Sequence, residues 1–181
     1  MTTYSSTMDT PAGKFTAIVD GDGAVLASGW TGDVDDLLPL IHRDLLPPIH
    51  RTLGPAFHRA LVPATPTAKR DLGAVTRAIR AYHAGDLTAP DAITVRQHSD
   101  GAFLTAAWKA LRDVPPGRPV SYTEFAERAG NRAASRAAAQ ACARNAAALF
   151  VPCHRVVRAD GSVGGFCWGP DVKAWLLDHE S

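Results

Sequence analysis

The stretch Leu149-Phe150-Val151-Pro152-Cys153-His154-Arg155-Val156-Val157 organises the rest of this chain. The apolar run from Ala147 to Val151 predicts a buried strand or extended segment. Pro152 has no N–H and cannot continue a sheet ladder, so we expect the strand to end there. Cys153 then lies at the strand exit, beside His154. A thiol is a good nucleophile only as the thiolate, and a neighbouring base favours that form.

An isolated cysteine in apolar surroundings is equally compatible with a structural role, and a Cys-His pair alone does not distinguish a structural from a catalytic cysteine. The longer sequence pattern favours the catalytic role. Around the PCHRV string occur, in this order, Val120-Ser121-Tyr122, Ala129-Gly130-Asn131, Ser135-Arg136-Ala137, Asn145, Gly164-Gly165-Phe166, Trp168-Gly169 and Lys173-Ala174-Trp175-Leu176-Leu177-Asp178-His179-Glu180. From about Phe103 to Glu180, this pattern resembles the O6-alkylguanine-DNA alkyltransferases, the methylated-DNA–protein-cysteine methyltransferase family. The resemblance is weak before Phe103.

The resemblance implies DNA repair by direct, irreversible transfer of an alkyl group to Cys153. The partner it implies is double-stranded DNA that contains O6-alkylguanine, with O4-alkylthymine left open as a second substrate. The protein would bind the minor groove and flip the base, since the alkyl carbon is inaccessible inside the duplex. Each molecule would act once, as a monomer and without cofactor or metal. Cooperative binding along DNA stays open.

The resemblance also assigns the catalytic residues. His154 acts as the base that deprotonates Cys153, through a water molecule in the family. Glu180 holds the His154 imidazole in the required tautomer, a role like that of the acid in other nucleophilic triads. Asn145 braces the turn between the recognition helix and the active-site segment.

Four further residues correspond to the family's substrate pocket. Tyr122 lies at the rim, where it helps to rotate the nucleotide and can donate towards the purine. The backbone carbonyls of Cys153 and Val156 receive the exocyclic amine of guanine. Phe166 packs against the base, and the Cys167 amide contacts O6. We also expect the Cys167 thiol to be weakly alkylated or oxidised.

An alanine-rich segment is predicted to contact the DNA. The segments 122–129 and 132–144 read as two helices around a Gly-Asn turn, which is typical of a helix-turn-helix unit. By resemblance, Arg136 is the arginine finger that fills the space of the flipped nucleotide, with Ala137 beside it. Arg132 and Arg144 are expected to face phosphates or solvent.

Composition agrees with a nucleic-acid partner. The 181 residues carry a net charge of +1, but the segment from Arg128 to Arg158 has six arginines and no aspartate or glutamate, which predicts a basic patch. No apolar run is long enough for a membrane span. The polar N-terminus, three cysteines without paired spacing and an excess of arginine over lysine indicate a bacterial, cytoplasmic, nucleoid-associated protein.

No metal site is expected, because the cysteines form no CxxC pair and His42, His50, His58 and His83 are scattered along the chain. The fold class predicted is an α/β N-terminal domain, residues 1–95, with a small antiparallel sheet plus helices. It is followed by a mostly α-helical C-terminal domain, residues 96–181, with a winged helix-turn-helix-like DNA-binding unit.

The segments 5–8, 14–19 and 25–30 are predicted as strands of a meander. Helices are predicted from Asp33 to about Leu46, from about Ala68 to Ala84 with Thr67 as cap, and from Phe103 to Arg112. The proline-rich segment 47–66 is predicted as loops with at most a short strand.

Two other functions compete with alkyl transfer. An alkyltransferase-like protein would hold the lesion without accepting its alkyl group, but such relatives lack the reactive cysteine that Cys153 supplies. A cysteine hydrolase would use Cys153 and His154, although adjacent residues rarely have the required geometry.

Overall fold

The computed structural model describes residues 2–46 and 65–181, and its N-terminal part is built on a four-stranded sheet of order β3-β2-β1-β4. The strands are β1 (Thr3–Thr10), β2 (Gly13–Asp20), β3 (Val25–Gly29) and β4 (Thr67–Ala68). The first three form the predicted antiparallel meander, and β4 pairs parallel to β1. The meander prediction is therefore confirmed.

The predicted helix from Asp33 to Leu46 is wrong. Three short 3-10 helices occupy this segment, at Val34–Asp36, Leu38–Leu40 and Arg43–Leu45. Asp33 does cap the first of them, since its carboxylate accepts the Asp35 amide at 2.9 Å. Pro39 lies in the middle of the predicted helix and removes a donor there, which limits the segment to single turns. The loops predicted for 47–66, together with His50 and His58, lie almost entirely outside the described residues.

Helix α1 (Ala74–His83) begins six residues later than predicted, with Gly73 as its N-cap. Thr67, predicted to cap it, pairs with Tyr4 in the sheet instead. The C-terminal end is as predicted, because Gly85 follows the helix with a φ of +106° that favours glycine.

The C-terminal half is mostly helical, as predicted. Its helices are α2 (Ala102–Arg112), α3 (Tyr122–Arg128), α4 (Ser135–Ala143) and α5 (Pro170–His179), and a two-stranded parallel sheet joins β5 (Val120–Ser121) to β6 (Val156–Val157). The capping box of Ser121 and Glu124 is present at the start of α3. Helix α4 begins three residues later than predicted, because the Asn131 carboxamide accepts the Ala133 amide and holds a turn there.

The predicted strand from Ala147 to Val151 is wrong, although its predicted burial is right. The segment is a tight turn in which the Val151 amide donates to the Ala147 carbonyl at 2.8 Å. Leu149 has a φ of +77°, a strained conformation for a bulky residue. The turn is held to β3 by Ser28, whose hydroxyl donates to the Ala148 carbonyl at 2.7 Å. Cys153 therefore follows a turn and not a strand.

A single hydrophobic cluster continues from the N-terminal sheet into the C-terminal helices. Its members include Phe15, Ile79, Phe125, Phe150 and Leu176, each at most 1% exposed. The sheet thereby supports the turn that precedes Cys153. The domain boundary at residue 95 stays a prediction. No helix in the two described ranges combines the length and apolarity that a membrane span requires.

Candidate active site

The thiol of Cys153 is held by the side chain of Asn145. Cys153 opens the 3-10 helix Cys153–Arg155 and is 6% exposed. Asn145 Nδ2 donates to Cys153 Sγ at 3.1 Å and to the Val151 carbonyl at 2.7 Å. Its Oδ1 accepts from Gln97 Nε2 at 2.9 Å and from the amide of Ala147 at 3.1 Å. Because all these bonds fix the carboxamide, Asn145 positions both the turn and the sulfur.

Behind the cysteine, four hydrogen bonds converge on the buried carboxylate of Glu180. His154 Nε2 lies 2.8 Å from Oε1, and the Tyr82 hydroxyl donates to the same oxygen at 2.7 Å. Arg155 donates through Nε to Oε2 and through Nη2 to Oε1, each at 2.9 Å. Arg155 Nη1 also donates to the Val114 carbonyl at 2.6 Å. The carboxylate is thus fixed from both halves of the chain.

These contacts decide the protonation state of Glu180. Burial alone would raise the pKa of this carboxyl, but the hydrogen bonds and charges of His154 and Arg155 outweigh it and hold the pKa at about 2. Burial and the Glu180 carboxylate both raise the pKa of Tyr82, so its hydroxyl remains a donor. Glu180 is therefore an anion at neutral pH.

The imidazole of His154 is neutral and has one basic nitrogen free. Burial lowers its pKa, although Glu180 works in the opposite direction. With Nε2–H donating to Glu180, the lone pair lies on Nδ1. Nδ1 is buried and has no hydrogen-bond partner among the residues that the structure describes. This nitrogen can accept a proton.

Burial raises the pKa of the Cys153 thiol, while the Asn145 hydrogen bond and the Lys173 charge partly oppose it. The resting side chain is consequently a thiol, and its proton must pass to a base as the sulfur reacts. The site pairs a protonated nucleophile with a neutral imidazole whose charged form Glu180 would stabilise.

Cys153 faces a cavity of about 310 Å³ that is largely apolar. It is lined by Tyr122, Ala139, Cys142, Ala143, Cys153, Gly165, Phe166 and Cys167. Three of the four predicted substrate residues therefore meet at this cavity, and Val156 does not line it. The Val156 carbonyl accepts from Lys173 Nζ at 2.6 Å, which leaves it one further lone pair. Lys173 also donates to the Gly165 carbonyl at 3.3 Å and so holds the cavity wall.

All three cysteines of the chain line this one cavity. Burial raises the pKa of the Cys142 and Cys167 thiols, and neither makes the hydrogen bond that Asn145 gives Cys153. We therefore expect an alkyl-donor oligonucleotide to label Cys153 almost alone, with Cys167 labelled weakly. Peptide mapping by mass spectrometry measures the distribution. Label found chiefly on Cys167 or Cys142 would overturn the choice of nucleophile.

The predicted DNA-contacting residues lie on and around α4. The predicted basic patch needs one correction, because it included Arg155. Arg136 is exposed in the first turn of α4, and Ala137 is half-buried next to it. Arg144 is exposed just after the helix, and Arg132 pairs with Glu127 at 2.6 Å. Arg155, counted in the predicted patch, is 2% exposed and engages Glu180, so it cannot face DNA.

Sequence reasoning missed five residues of the site. Arg155 and Lys173 lie inside the quoted motifs, but their charge alone favoured a surface position. Tyr82, Gln97 and Cys142 lie outside those motifs, and only folding brings them to the site. No signal in a single sequence places Tyr82 against a carboxylate 98 positions away.

Comparisons with known proteins show the family to which the chain belongs. The family model described as 6-O-methylguanine DNA methyltransferase, DNA binding domain, matches residues 102–181. The methylated-DNA–protein-cysteine methyltransferase of Methanosarcina barkeri is 36% identical over 112 residues, which are 62% of this chain and 70% of that protein. The bifunctional transcriptional activator/DNA repair enzyme Ada of Escherichia coli is 49% identical over 80 residues, 44% of this chain. The chain spans only 23% of Ada.

Mycobacterium tuberculosis OGT in complex with DNA is a solved structure of similar fold. Its TM-score is 0.73 at 26% identity, with 98% of this chain and 92% of that chain covered. The fold and the site thus define a protein with a buried cysteine on a cavity wall beside helices of a DNA-binding type. The chain belongs to the methylated-DNA–protein-cysteine methyltransferase family, which confirms the resemblance found in the sequence.

Proposed function

We propose that this protein repairs O6-alkylguanine in double-stranded DNA by transferring the alkyl group to Cys153, once per molecule. The observation that carries the proposal is the position of Cys153, which lies on the wall of a cavity of about 310 Å³ with its sulfur bonded to Asn145. The cavity walls are apolar enough to receive a planar base, and Tyr122 and Phe166 supply aromatic surface.

In the proposed reaction, His154 Nδ1 takes the proton of Cys153 through a bridging water. Glu180 stabilises the resulting imidazolium. The sulfur attacks the alkyl carbon, a carbon–sulfur bond forms, and the bond between that carbon and O6 breaks. The electron pair stays on the guanine. Tyr122, whose pKa burial raises, remains protonated and donates towards the purine as this charge develops.

The product is a thioether, which has no easy leaving group, so the protein is consumed. The proposed reaction needs no cofactor, because the sulfur supplies the electron pair of the new carbon–sulfur bond. Base flipping is supported by Ala139 and Ala143 of α4, which line the cavity and are exposed, and whose small side chains let the helix approach a groove closely. O4-alkylthymine would present the same kind of alkyl carbon to the sulfur.

The competing proposal, an alkyltransferase-like protein that binds the lesion without transfer, is disfavoured by Cys153 itself. Cys153 lines the cavity, and the next residue in the chain, His154, is paired with Glu180. One assay separates the two: the protein is mixed with duplex DNA that carries labelled O6-methylguanine. We expect one methyl group per molecule on Cys153. Tight binding with no label on protein would support the alternative.

The proposed role of Arg136 can be tested by removing its side chain. This exposed arginine has no ion-pair partner among the described residues, and by resemblance it fills the stack after the base leaves. We expect Arg136→Ala to slow repair of duplex DNA about tenfold or more while the reaction with free O6-benzylguanine changes little. Arg77→Ala, which changes an exposed arginine on α1 outside the predicted DNA-contacting segment, is the matched control. If the rate of transfer fell equally with duplex DNA and with the free base, Arg136 would not act as the arginine finger.

A further inference from the structure

We propose that two histidines and an aspartate outside the active site bind a divalent transition-metal ion, for which Zn²⁺ is the best fit. They are His42, Asp44 and His98. One atom each of His42, Asp44 and His98 lies within 4.8 Å of the others. Imidazole nitrogen and carboxylate oxygen are donors that Zn²⁺ accepts readily, whereas Mg²⁺ and Ca²⁺ prefer oxygen alone.

The spacing of the donor atoms is close to that of a tetrahedral site. Ligand atoms at the usual distance from Zn²⁺ are about 3.4 Å apart. His42 Nδ1 and His98 Nε2 lie 3.6 Å and 3.8 Å from Asp44 Oδ2. Asp100 lies beside this set, since its Oδ1 is 3.6 Å from His98 Nε2 and its Oδ2 is 3.9 Å from His42 Nε2, which is not the nitrogen paired with Asp44. The two distances to Asp44 Oδ2 would have to contract by about 0.2 Å and 0.4 Å to reach the tetrahedral spacing.

The surroundings orient these side chains. Arg43 Nε lies 3.7 Å from Asp44 Oδ1, which leaves Oδ2 directed at the histidines. The two imidazole rings meet at 4.5 Å between centroids. His42 Nδ1 accepts only a long 3.3 Å bond from the Asp44 amide, which metal binding would replace.

The proposed site joins two distant parts of the chain. His42 and Asp44 belong to the 3-10 segment that follows the sheet, and His98 and Asp100 precede α2. An open cavity of about 660 Å³ lined by His42, His98 and Asp100 gives an ion access. Bound metal would fasten the N-terminal part to the base of α2. This proposal differs from the expectation of no metal site, which treated the histidines as scattered and did not pair His42 with His98.

The test is binding of Zn²⁺ and Co²⁺ to the full chain after chelator treatment. We expect one ion per molecule by isothermal titration calorimetry, and a rise in melting temperature of about 5 °C at saturating Zn²⁺. Co²⁺ should give the visible absorption of a tetrahedral complex without the near-ultraviolet band of cobalt–thiolate bonds. That spectrum separates this site from the cysteines of the active-site cavity, which could also bind metal.

Variants assign the ligands. His98→Ala should abolish the stabilisation and the Co²⁺ spectrum, and Asp44→Asn should weaken the affinity about tenfold or more. Asp113→Asn, an exposed aspartate at the other end of α2, is the matched control and should bind like the wild type. Because His98 and Asp44 are exposed, both variants should fold, which circular dichroism checks. Equal binding by wild type and His98→Ala, or a thiolate band as the only Co²⁺ signal, would overturn the proposal.

Discussion

Cys153→Ala is expected to abolish alkyl transfer completely while duplex binding stays within about twofold of the wild type. The physical reason is that the sulfur supplies the electron pair of the new bond, and alanine has none to give. Binding should persist because Arg136 of α4 and the flanking Arg132 and Arg144, all exposed, are unchanged. The measurements are methyl transfer from labelled duplex and a binding titration by fluorescence anisotropy.

The same variant tests the separation of chemistry from binding. Its binding should weaken as salt rises, since contacts to phosphate release counterions. Asp113→Asn is the control and should transfer methyl groups at the wild-type rate. If Cys153→Ala remained folded but no longer bound DNA, chemistry and binding would not be separate, and the proposed division of roles would be wrong.

Glu180→Gln should have the second largest effect, on both rate and stability. The amide keeps the shape of the carboxylate but removes the charge that His154 and Arg155 face. We expect transfer to slow about a hundredfold or more, because nothing then stabilises the imidazolium. We also expect a loss of about 3 kcal/mol in the free energy of unfolding, because Arg155 keeps a buried charge without its partner.

The stability loss should depend on pH in a defined direction. The pKa of Glu180 falls from its ordinary 4.5 to about 2 on folding. A carboxyl whose pKa is lowered in the folded state contributes its full stabilisation above the unfolded value, and the contribution disappears as the pH falls through the folded value. The difference between wild type and Glu180→Gln should therefore be constant above about pH 5 and shrink towards pH 2. Urea unfolding at a series of pH values measures it.

Tyr82→Phe is the matched variant for this prediction. It removes one of the four hydrogen bonds to Glu180 but leaves the carboxylate charged. We expect about 1 to 2 kcal/mol of destabilisation and a much smaller rate loss than in Glu180→Gln. A folded Glu180→Gln that transferred alkyl groups as fast as the wild type would exclude the orienting role of Glu180.

Several parts of the fold could be predicted locally. Short-range patterns decide them: Ser121 and Glu124 form their capping box within one turn, and Gly85 ends α1 by its own backbone conformation. The meander follows from alternation and turn residues. The predicted helix from Asp33 failed because Pro39 removes a donor within it. The predicted strand from Ala147 failed because an apolar run is compatible with several buried conformations. The partner, here Ser28 of β3, decides among them.

By itself, the sequence determined the family and the helical character of the C-terminal half and led to the proposal of Cys153 as the nucleophile, because these depend on residues close together in the chain. Only the tertiary structure decided what surrounds Cys153 and Glu180. Tyr82, Gln97 and Arg155 reach the site through packing between the two halves of the chain. A hydrogen bond depends on distance in space and not on separation in sequence, and a buried arginine is stable only where folding supplies its carboxylate.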